Sequence, residues 1–492
     1  MLLSKSLYTR AIQCPKSLWL KKHKPEVLTP PDASAQAVFD TGHAVGELAC
    51  ELFPDGVEVE FNKDYAQMAE TTARLLEEGV QNIYEATFIY EGILVMVDVL
   101  HVEEDGSVSL YEVKSSTSVK EIYLHDVSVQ YYVLRGLGMQ VKSANVIHID
   151  SSYVRGEELE LERLFCVVNV TAEAEELQEQ IPRRLSEWEQ YLLDTQNEPD
   201  IDISSHCNKP YECDAKAYCW KVQRNIPDYS IFNIFNLGSK KQTALYEQGI
   251  VHIDDIPEDF EMTANQKAKV EQYKSGTTHI DTEKIQAFLL ELNYPLYHLD
   301  FETFQQAIPQ WRGIKPFMQI PFQYSLHIEH ADGSLEHREF LAEAGQDPRE
   351  ALACRLIADI PRDVTVLAYN MSFEKVVLRN LAEQFPQYAE HLMAIHDNIK
   401  DLMLPFQKGW YATPQMQGSY SIKYVLPALV PKMAAAYREL DGVHNGGEAM
   451  RAFAQMSQLE GSELEKMREA LLAYCKLDTL AMVKVLEKLR GV

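Results

Sequence analysis

The first half of the chain is organised around Gly92-Ile-Leu-Val-Met-Val-Asp98-Val-Leu and the following Gly106-Ser-Val-Ser-Leu-Tyr-Glu112-Val-Lys114. Two apolar, β-rich runs flank a short polar segment, which is typical of an antiparallel β-hairpin. Because side chains alternate along a strand, Glu112 and Lys114 share one face. Asp98 lies within an otherwise apolar run, and a buried carboxylate is costly unless a cation pairs with it.

These three residues allow two interpretations. In the first, Asp98 and Glu112 hold Mg²⁺ or Mn²⁺, and Lys114 orients or activates a water molecule. In the second, Asp98 caps a strand end and the other two form a structural ion pair. Glu85, just before the hairpin, is a further acid that would support the metal ligands. His43 lies on a predicted helix over residues 33–53, where an isolated histidine is more often structural than a ligand.

The region resembles the RecB-like branch of the PD-(D/E)xK nucleases. Asp98, Glu112 and Lys114 match the signature acids and lysine of that branch. The resemblance implies a restriction-endonuclease-like α/β core. It also implies that His43 is a metal ligand and that Gln130 belongs to the catalytic residues.

Cysteines supply a second signal. Cys207, Cys213 and Cys219 follow a C-x5-C-x5-C spacing in a predicted loop, and Cys14 offers a fourth thiolate. Three close cysteines favour a bound metal, with structural zinc, a 4Fe–4S cluster and free thiols as the alternatives. Iron–sulfur members of the RecB-like branch have one cysteine before the nuclease core and three after it. This shared order implies a 4Fe–4S cluster that staples the first helix to the end of the domain.

The other four cysteines lie in apolar or helical contexts and are expected in the core: Cys50, Cys166, Cys354 and Cys475.

Residues 226–285 are predicted to form a helical linker. The segment from Phe235 through Gly238, Lys240 and Lys241 resembles a helix–hairpin–helix element. In such elements a glycine turn and a helix N-terminus bind phosphate. A small helical spacer without a ligand is the alternative.

The second catalytic pattern begins with Tyr294-Pro-Leu-Tyr-His-Leu-Asp300-Phe-Glu302-Thr-Phe304, a predicted strand with both acids on one face. Glu374 stands at the start of a later predicted helix. Tyr474 and Asp478 lie one turn apart on another helix.

These ordered motifs resemble the DnaQ-like, RNase H-fold 3′–5′ exonucleases over roughly residues 292–490. Relatives usually have aspartate where Glu374 stands. The resemblance implies that Tyr474 positions or deprotonates an attacking water. It also implies that Mg²⁺ or Mn²⁺ is held by four acids: Asp300, Glu302, Glu374 and Asp478.

Further contacts to nucleic acid are predicted near this pattern. Lys423, close to the start of a helix, is a candidate phosphate contact, with a solvated surface lysine as the alternative. Phe301, Phe304 and Trp311 are the predicted platform for a terminal base, since aromatic side chains stack on bases.

Length and charge limit the organisation. A chain of 492 residues suggests two to four domains. The resemblances imply an α/β multidomain protein with a nuclease domain over 1–225, the linker over 226–285 and an RNase H-like exonuclease domain over 286–492. The net charge of −28 argues against a broad nucleic-acid-coating surface, although it permits a local grip on a strand. No membrane-length apolar run and no secretion signal are present, which predicts a cytoplasmic protein.

The whole arrangement resembles an uncharacterised bacterial family that joins an iron–sulfur RecB-like nuclease domain to a C-terminal DnaQ-like domain. It implies a metal-dependent DNA nuclease with two hydrolytic centres, acting in DNA processing, repair or phage defence. The alternatives are an RNA-directed exonuclease and a nucleic-acid-binding scaffold with decayed sites. No G-x4-G-K-S/T loop is present, so any unwinding would require a helicase partner.

Overall fold

The chain divides into two compact units of mixed α/β structure. The structure, a computed structural model, describes residues 2–492, apart from the side chains of residues 33 and 34. The first unit comprises the described residues up to Asn225 together with Gln306–Phe317, and the second comprises Ile226–Gln305 and Met318–Val492. The segment 226–285, predicted as a separate linker, is part of the second unit, whereas 306–317 belongs to the first.

The described residues of the first unit form one sheet and eight α-helices. Its elements are β1 (Leu3–Ser4), α1 (Lys5–Gln13), α2 (Pro15–His23), α3 (Ala33–Cys50), β2 (Val57–Glu58), α4 (Tyr65–Glu77), β3 (Asn82–Tyr90), β4 (Ile93–Val102), β5 (Val108–Lys114), α5 (Glu121–Gly136), β6 (Val141–Ile149), α6 (Leu161–Leu164), β7 (Phe165–Asn169), α7 (Thr171–Glu176) and α8 (Gln180–Leu193).

The sheet of the first unit has the order β2-β3-β4-β5-β6-β7, and β1 pairs with β4. β3, β4 and β5 are antiparallel neighbours, and β5 runs parallel to β6 after the α5 crossover. The predicted hairpin is confirmed, since the pairing of β4 with β5 extends from Val99 and Tyr111 to Val102 and Val108.

The sheet forks beside Asp98. β5 pairs with the second half of β4, whereas β1 runs parallel to its beginning, with Leu3 opposite Ile93. Asp98 lies between these two partners of β4, and its carboxylate accepts a hydrogen bond of 2.7 Å from the backbone N–H of Val113. Asp98 is therefore an interior residue of the strand, and the opening of the sheet at this point accommodates its side chain.

Apolar packing holds α1 and α2 against this sheet. Tyr8 and Trp19 are completely buried in the core that also contains Val95 and Val97 of β4. Each such side chain contributes about 1.5–3 kcal/mol through burial, so the position of α1 relative to β4 is well defined.

The second unit contains a five-stranded sheet and a two-stranded ribbon. Its elements are α9 (Ser239–Tyr246), α10 (Ala264–Ser275), β8 (His279–Ile280), α11 (Thr282–Leu290), β9 (Leu296–Phe304), β10 (Ile320–Glu329), β11 (Leu335–Leu341), α12 (Arg349–Asp359), β12 (Thr365–Ala368), α13 (Ser372–Gln384), α14 (Ala389–Asp397), β13 (Ile399–Asp401), α15 (Leu404–Gln407), β14 (Tyr411–Ala412), α16 (Ile422–Leu429), α17 (Gly446–Gln455) and α18 (Gly461–Arg490).

β9, which carries the D-x-E pattern, is the central strand in the order β11-β10-β9-β12-β13. β9, β10 and β11 are antiparallel, whereas β12 and β13 run parallel to β9. Alternation along β9 directs Phe301 into the apolar core on one face and Asp300 and Glu302 toward α18 on the other.

Within residues 2–492, no helix combines the length and the apolar character that crossing a membrane requires.

Candidate active sites

The hairpin centre is the group of polar side chains at the fork: Lys5, Asp98, Glu112, Lys114, Asp126 and Gln130. Glu112 lies in its middle and is 2% exposed. Its Oε1 accepts a hydrogen bond from Lys114 Nζ at 2.6 Å. Its Oε2 accepts from Lys5 Nζ at 2.7 Å and from Gln130 Nε2 at 2.6 Å. Both oxygens of this acid are thus bonded to side chains from three separate elements.

Two members of this centre were missed by sequence reasoning. Lys5 also contacts Asp98, with 3.3 Å between Nζ and Oδ1, although the two residues are far apart in the sequence. Asp126 accepts from Lys114 Nζ at 2.7 Å. Asp126 stands four residues before Gln130 on α5, so their shared helix face was a signal that could have revealed it. Lys5 had no comparable signal, because only the pairing of β1 with β4 brings it to the site.

Charge balance distinguishes the acids of the hairpin centre. Burial alone would raise the pKa of Glu112, but the ammonium groups of Lys114 and Lys5 outweigh it and hold this pKa well below its usual range. Burial and the neighbouring Glu112 raise the pKa values of Asp98 and Asp126. Burial and Asp98 raise the pKa of Glu85 to about 7. The two lysines therefore stabilise the ionised form of Glu112, whereas Asp98 and Asp126 bind protons more readily than usual.

A cavity of about 1250 Å³ opens onto this centre. This exceeds the roughly 300–1,000 Å³ of small-molecule sites, which favours an extended ligand. Lys5, Asp98, Glu112 and Lys114 line it together with residues from α3, including His43. The side chain of His43 is exposed to this cavity and is therefore accessible to a metal ion.

Gln130 differs from its predicted catalytic role. It is fully buried and does not line the cavity. Its amide donates to Glu112, while its Oε1 has no hydrogen-bond partner within the described part of the chain. Gln130 is therefore a positioning residue for Glu112.

The four-acid centre comprises Asp300 and Glu302 from β9, Glu374 from α13 and Asp478 from α18. One oxygen of Asp300, one of Glu302 and the Cys475 sulfur lie within 4.8 Å of one another. Glu374 is 2% exposed, and its Oε2 has no hydrogen-bond partner among residues 2–492. No lysine or arginine of the described residues forms an ion pair with any of these acids.

Burial and mutual repulsion raise the pKa values of these four carboxyl groups. Burial and Asp478 raise the pKa of Asp300 well above its usual range. Burial raises the pKa of Glu302 and that of Glu374 to about 8. Burial raises the pKa of Asp478 to about 6 in spite of hydrogen bonds from two tyrosines. The charge of Lys423 opposes the rise at Glu302 and Asp478 without reversing it. The centre is thus poised to bind protons or divalent ions.

Tyr474 and Tyr437 both bond to Asp478. The hydroxyl of Tyr437 donates to Asp478 Oδ1 at 2.6 Å, and its ring lies 6.4 Å from that of Tyr474. Burial and the neighbouring carboxylates raise the pKa of both hydroxyls far above neutrality, so both remain protonated donors. Tyr474 is therefore a hydrogen-bond donor beside Asp478. Tyr437 was missed because it lies outside regular secondary structure, where no spacing indicated its direction.

The predicted aromatic platform is wrong for Phe301 and Phe304. Phe301 and Phe304 are 3% and 7% exposed. Phe301 packs edge-on against Tyr324, and Phe304 packs against Phe322 and Phe453. Alternation along β9 places Phe301 on the face opposite the acids, where no base can reach it. Trp311 lies in the first unit.

The remaining phosphate-binding candidates lie at the surface. Lys240 is exposed in the first turn of α9, while Lys241 Nζ donates to the carbonyl of Glu261 at 2.8 Å. Lys423 is exposed on α16 and acts on the four-acid centre through its charge. Lys240 and Lys423 therefore remain accessible, whereas Lys241 is engaged within the unit.

Cys14, Cys207, Cys213 and Cys219 line one pocket of the first unit, as the staple requires. Hydrogen bonds to Cys14 and Cys207 raise the pKa of His206 to about 10. Burial would raise the pKa of Cys207, but hydrogen bonds from His206 and other donors lower it below its usual value. The donor set fits a thiolate-bound metal group.

The remaining cysteines differ from one another. Cys475 is buried as expected, and its Sγ lies 3.8 Å from Asp300 Oδ2. Cys354 is exposed, so its predicted core position is wrong. It lies on α12, an amphipathic helix whose buried face is formed by other residues, such as Leu352 and Leu356.

Two comparisons with known proteins give matches. Residues 297–421, which include Asp300, Glu302 and Glu374, match the model of a domain of unknown function, DUF2779. An uncharacterized protein of Ureaplasma parvum serovar 3, UU173, is 25% identical over 292 residues. That alignment covers 54% of this chain and 41% of the relative, so the chain spans less than half of the relative's length. No solved structure matches the chain.

Proposed function

We propose that this protein is a metal-dependent nuclease with two hydrolytic centres. The carrying observation is the four-acid centre, where the buried Glu302 and Glu374 and the partly exposed Asp300 and Asp478 converge from three elements, without a paired lysine or arginine among the described residues. Like charges in a low-dielectric site are unfavourable unless protons or cations neutralise them. Carboxylate clusters of this kind hold the divalent ions of phosphodiester hydrolysis.

The strand arrangements support the two finer fold assignments. In the second unit, three antiparallel strands followed by two parallel ones, with the D-x-E strand central, are the pattern expected of an RNase H-like exonuclease domain. In the first unit, an antiparallel hairpin followed by a helix and a parallel strand is the pattern expected of a restriction-endonuclease-like core.

At the four-acid centre, Asp300, Glu302, Glu374 and Asp478 would hold Mg²⁺ or Mn²⁺. Such ions stabilise charge on the phosphate and lower the pKa of a bound water. The hydroxyl of Tyr474 then orients the attacking water, and Tyr437 fixes one oxygen of Asp478. A centre of this kind would remove nucleotides from a 3′ end.

At the hairpin centre, Asp98 and Glu112, together with His43, would hold the ion. Lys114 is fixed between Glu112 and Asp126, so its ammonium stays beside the position of an attacking water. Gln130 restricts Glu112 to one orientation. These contacts preorganise the acids before a substrate arrives, which is how charge-stabilising sites gain rate.

We propose that the cysteine pocket holds a 4Fe–4S cluster, because four cysteines line it and one of them precedes strands β2 to β7 of the first unit while three follow them. Zinc is the alternative for such a thiolate set. Anaerobically purified protein with the cluster is expected to be brown. Colourless protein with stoichiometric zinc would contradict the cluster.

We take DNA as the substrate, and RNA is the second candidate because the RNase H-like arrangement serves both polymers. The test uses single and double strands of each polymer, labelled at the 5′ end, with Mn²⁺ or Mg²⁺. In a Lys114→Ala background, products shortening stepwise from the 3′ end are expected, and Asp478→Ala should abolish them.

Glu465→Ala, which removes an exposed acid of the same helix α18, is the matched control and should cleave normally. Absence of metal-dependent cleavage of either polymer would refute the proposal and favour a binding scaffold. Preferential cleavage of RNA would support the second candidate function, that of an RNA-directed exonuclease.

A further inference from the structure

Lys5 occupies a position that no hydrolytic role in the preceding section explains. Its ammonium lies 2.7 Å from Glu112 Oε2 and 3.3 Å from Asp98 Oδ1. These two carboxylates are the acids expected to hold a divalent ion. In the structure, one ammonium therefore bridges the same two acids that a metal would bridge.

The two lysines of the hairpin centre bond to different carboxylate oxygens of Glu112. Lys114 bonds to Oε1 and is fixed on its other side by Asp126. Lys5 bonds to Oε2, the oxygen that lies on the side of Asp98. A divalent ion between Asp98 and Glu112 would repel the nearby ammonium of Lys5 strongly. Lys114 also bonds to Asp126, and this second contact keeps its ammonium in place.

We propose that Lys5 and the divalent ion exchange at the hairpin centre, and that the displaced ammonium then contacts a phosphate of the bound strand. This inference rests on the proposed nuclease function and adds a residue to that site. Without metal, Lys5 holds Asp98 and Glu112 together. With metal, the same side chain becomes part of the substrate-binding surface.

The surroundings of Lys5 allow this exchange. Its side chain is 22% exposed and lines the 1250 Å³ cavity, so the ammonium can move without unfolding any element. A lysine carries its charge on a flexible four-carbon stem, which suits two alternative positions.

The backbone of Lys5 is held at both ends of α1. β1, which immediately precedes it, pairs with β4, and Cys14 follows the last residue of the helix. Arg10 on α1 forms an ion pair of 2.7 Å with Asp214, which directly follows Cys213 in the chain. The cysteine pocket thus fixes where α1 lies, and only the side chain of Lys5 changes position.

The test measures two affinities that should move in opposite directions. In an Asp300→Ala/Asp478→Ala background, Mn²⁺ binding is measured by calorimetry and nucleic-acid binding by fluorescence anisotropy with non-cleaving Ca²⁺. Lys5→Gln should bind Mn²⁺ about tenfold more tightly, since a charged competitor is removed. It should bind a single strand severalfold more weakly, with a salt slope smaller by about 0.7, as for one lost phosphate contact.

Lys120→Gln is the matched control. Lys120 lines the same cavity and lies over the rings of Tyr123 and Tyr211. Its loss should weaken strand binding and leave Mn²⁺ affinity unchanged. Lys5→Arg gives an independent check, because a guanidinium grips two carboxylates more firmly and should weaken Mn²⁺ binding.

The outcomes separate the two proposals. A background protein that binds neither Mn²⁺ nor nucleic acid would overturn the nuclease function of this centre and the exchange with it. If the background protein binds both, unchanged or weaker Mn²⁺ affinity in Lys5→Gln would overturn the exchange alone. Should Lys5→Gln fail to fold, Lys5→Arg decides the question, and unchanged or tighter Mn²⁺ binding in that variant would overturn the exchange.

Discussion

The hairpin centre and the four-acid centre place carboxylates of neighbouring elements close together, yet they balance charge in different ways. In the hairpin centre, Lys5 and Lys114 neutralise Glu112 and hold its pKa well below its usual range. In the four-acid centre, Glu302 has no such partner, and burial raises its pKa to about 8. The pKa of a buried strand glutamate is thus lowered in the first unit and raised in the second.

The difference teaches what each centre needs in order to be stable. The hairpin centre carries its own cations, so the metal-free site is balanced and a metal must compete with an internal group. The four-acid centre relies on protons or external ions, since burying unpaired charge is costly. We therefore expect different responses to metal, pH and mutation.

The largest expected effect separates the two activities. Lys114→Ala removes the group proposed to orient water at the hairpin centre, and Asp300→Ala removes a proposed metal ligand of the four-acid centre. Each should lower cleavage by its own centre about 10³-fold, within the range for lost catalytic groups. Single-turnover assays on 5′-labelled DNA of each single variant and of the double variant provide the measurement. Full activity in the double variant would show that neither centre hydrolyses DNA.

The next effect concerns the two tyrosines on Asp478. Tyr474→Phe keeps the ring and removes only the hydroxyl, so turnover should fall about 10²-fold with little change in substrate binding. Tyr437→Phe removes one hydrogen bond to a charged group and should cost about tenfold. Steady-state kinetics in a Lys114→Ala background measure both. Equal turnover in Tyr474→Phe and the parent would exclude a role for this hydroxyl.

A third prediction uses pH and stability. Burial raises the pKa of Glu302 and that of Glu374 from the ordinary 4.5 to about 8, so the folded protein binds more protons than the unfolded chain between these values. The contribution of these two groups to the free energy of unfolding in EDTA should therefore be largest below pH 4.5. It should fall as pH rises toward 8, by up to about 1.4 kcal/mol per pH unit for each group.

Denaturant unfolding of the second unit, followed with and without Mn²⁺, measures this dependence. Mn²⁺ should flatten the pH profile, and Glu302→Gln should reduce its slope in EDTA. Glu112→Gln is the contrasting control, because the pKa of Glu112 is lowered and its loss should not reduce that slope. A flat wild-type profile in EDTA would contradict unpaired acids at the four-acid centre.

The smallest expected effect is that of Glu374→Asp. Aspartate is the residue usual at this position in the exonucleases of the proposed function, and Glu374 lies close enough to Asp300 and Glu302 to raise their pKa values. The variant should keep most of its activity, whereas Glu374→Ala should lose it. Equal loss in both variants would show that the longer side chain is required to reach the ion.

Local sequence patterns predicted much of both centres. Period-2 alternation identified Glu112 with Lys114 and Asp300 with Glu302, and helical spacing identified Tyr474 with Asp478. The same alternation should have excluded Phe301 from the platform, since it stands between two acids that face the other way. Cysteine spacing likewise indicated the shared pocket, because three of the four residues lie close in the chain.

Spacing and alternation in the amino-acid sequence by themselves determined which strands carry acids and which cysteines belong together, because these patterns depend only on local backbone geometry. Lys5, Asp126 and Tyr437 reached the centres through tertiary structure alone. Lys5 arrives because β1 pairs with β4 beside the fork, and Tyr437 arrives from an irregular segment whose direction no period describes. Tertiary packing also decided the charge balance of each centre, since a pKa depends on the groups that folding brings near and on the water that it removes.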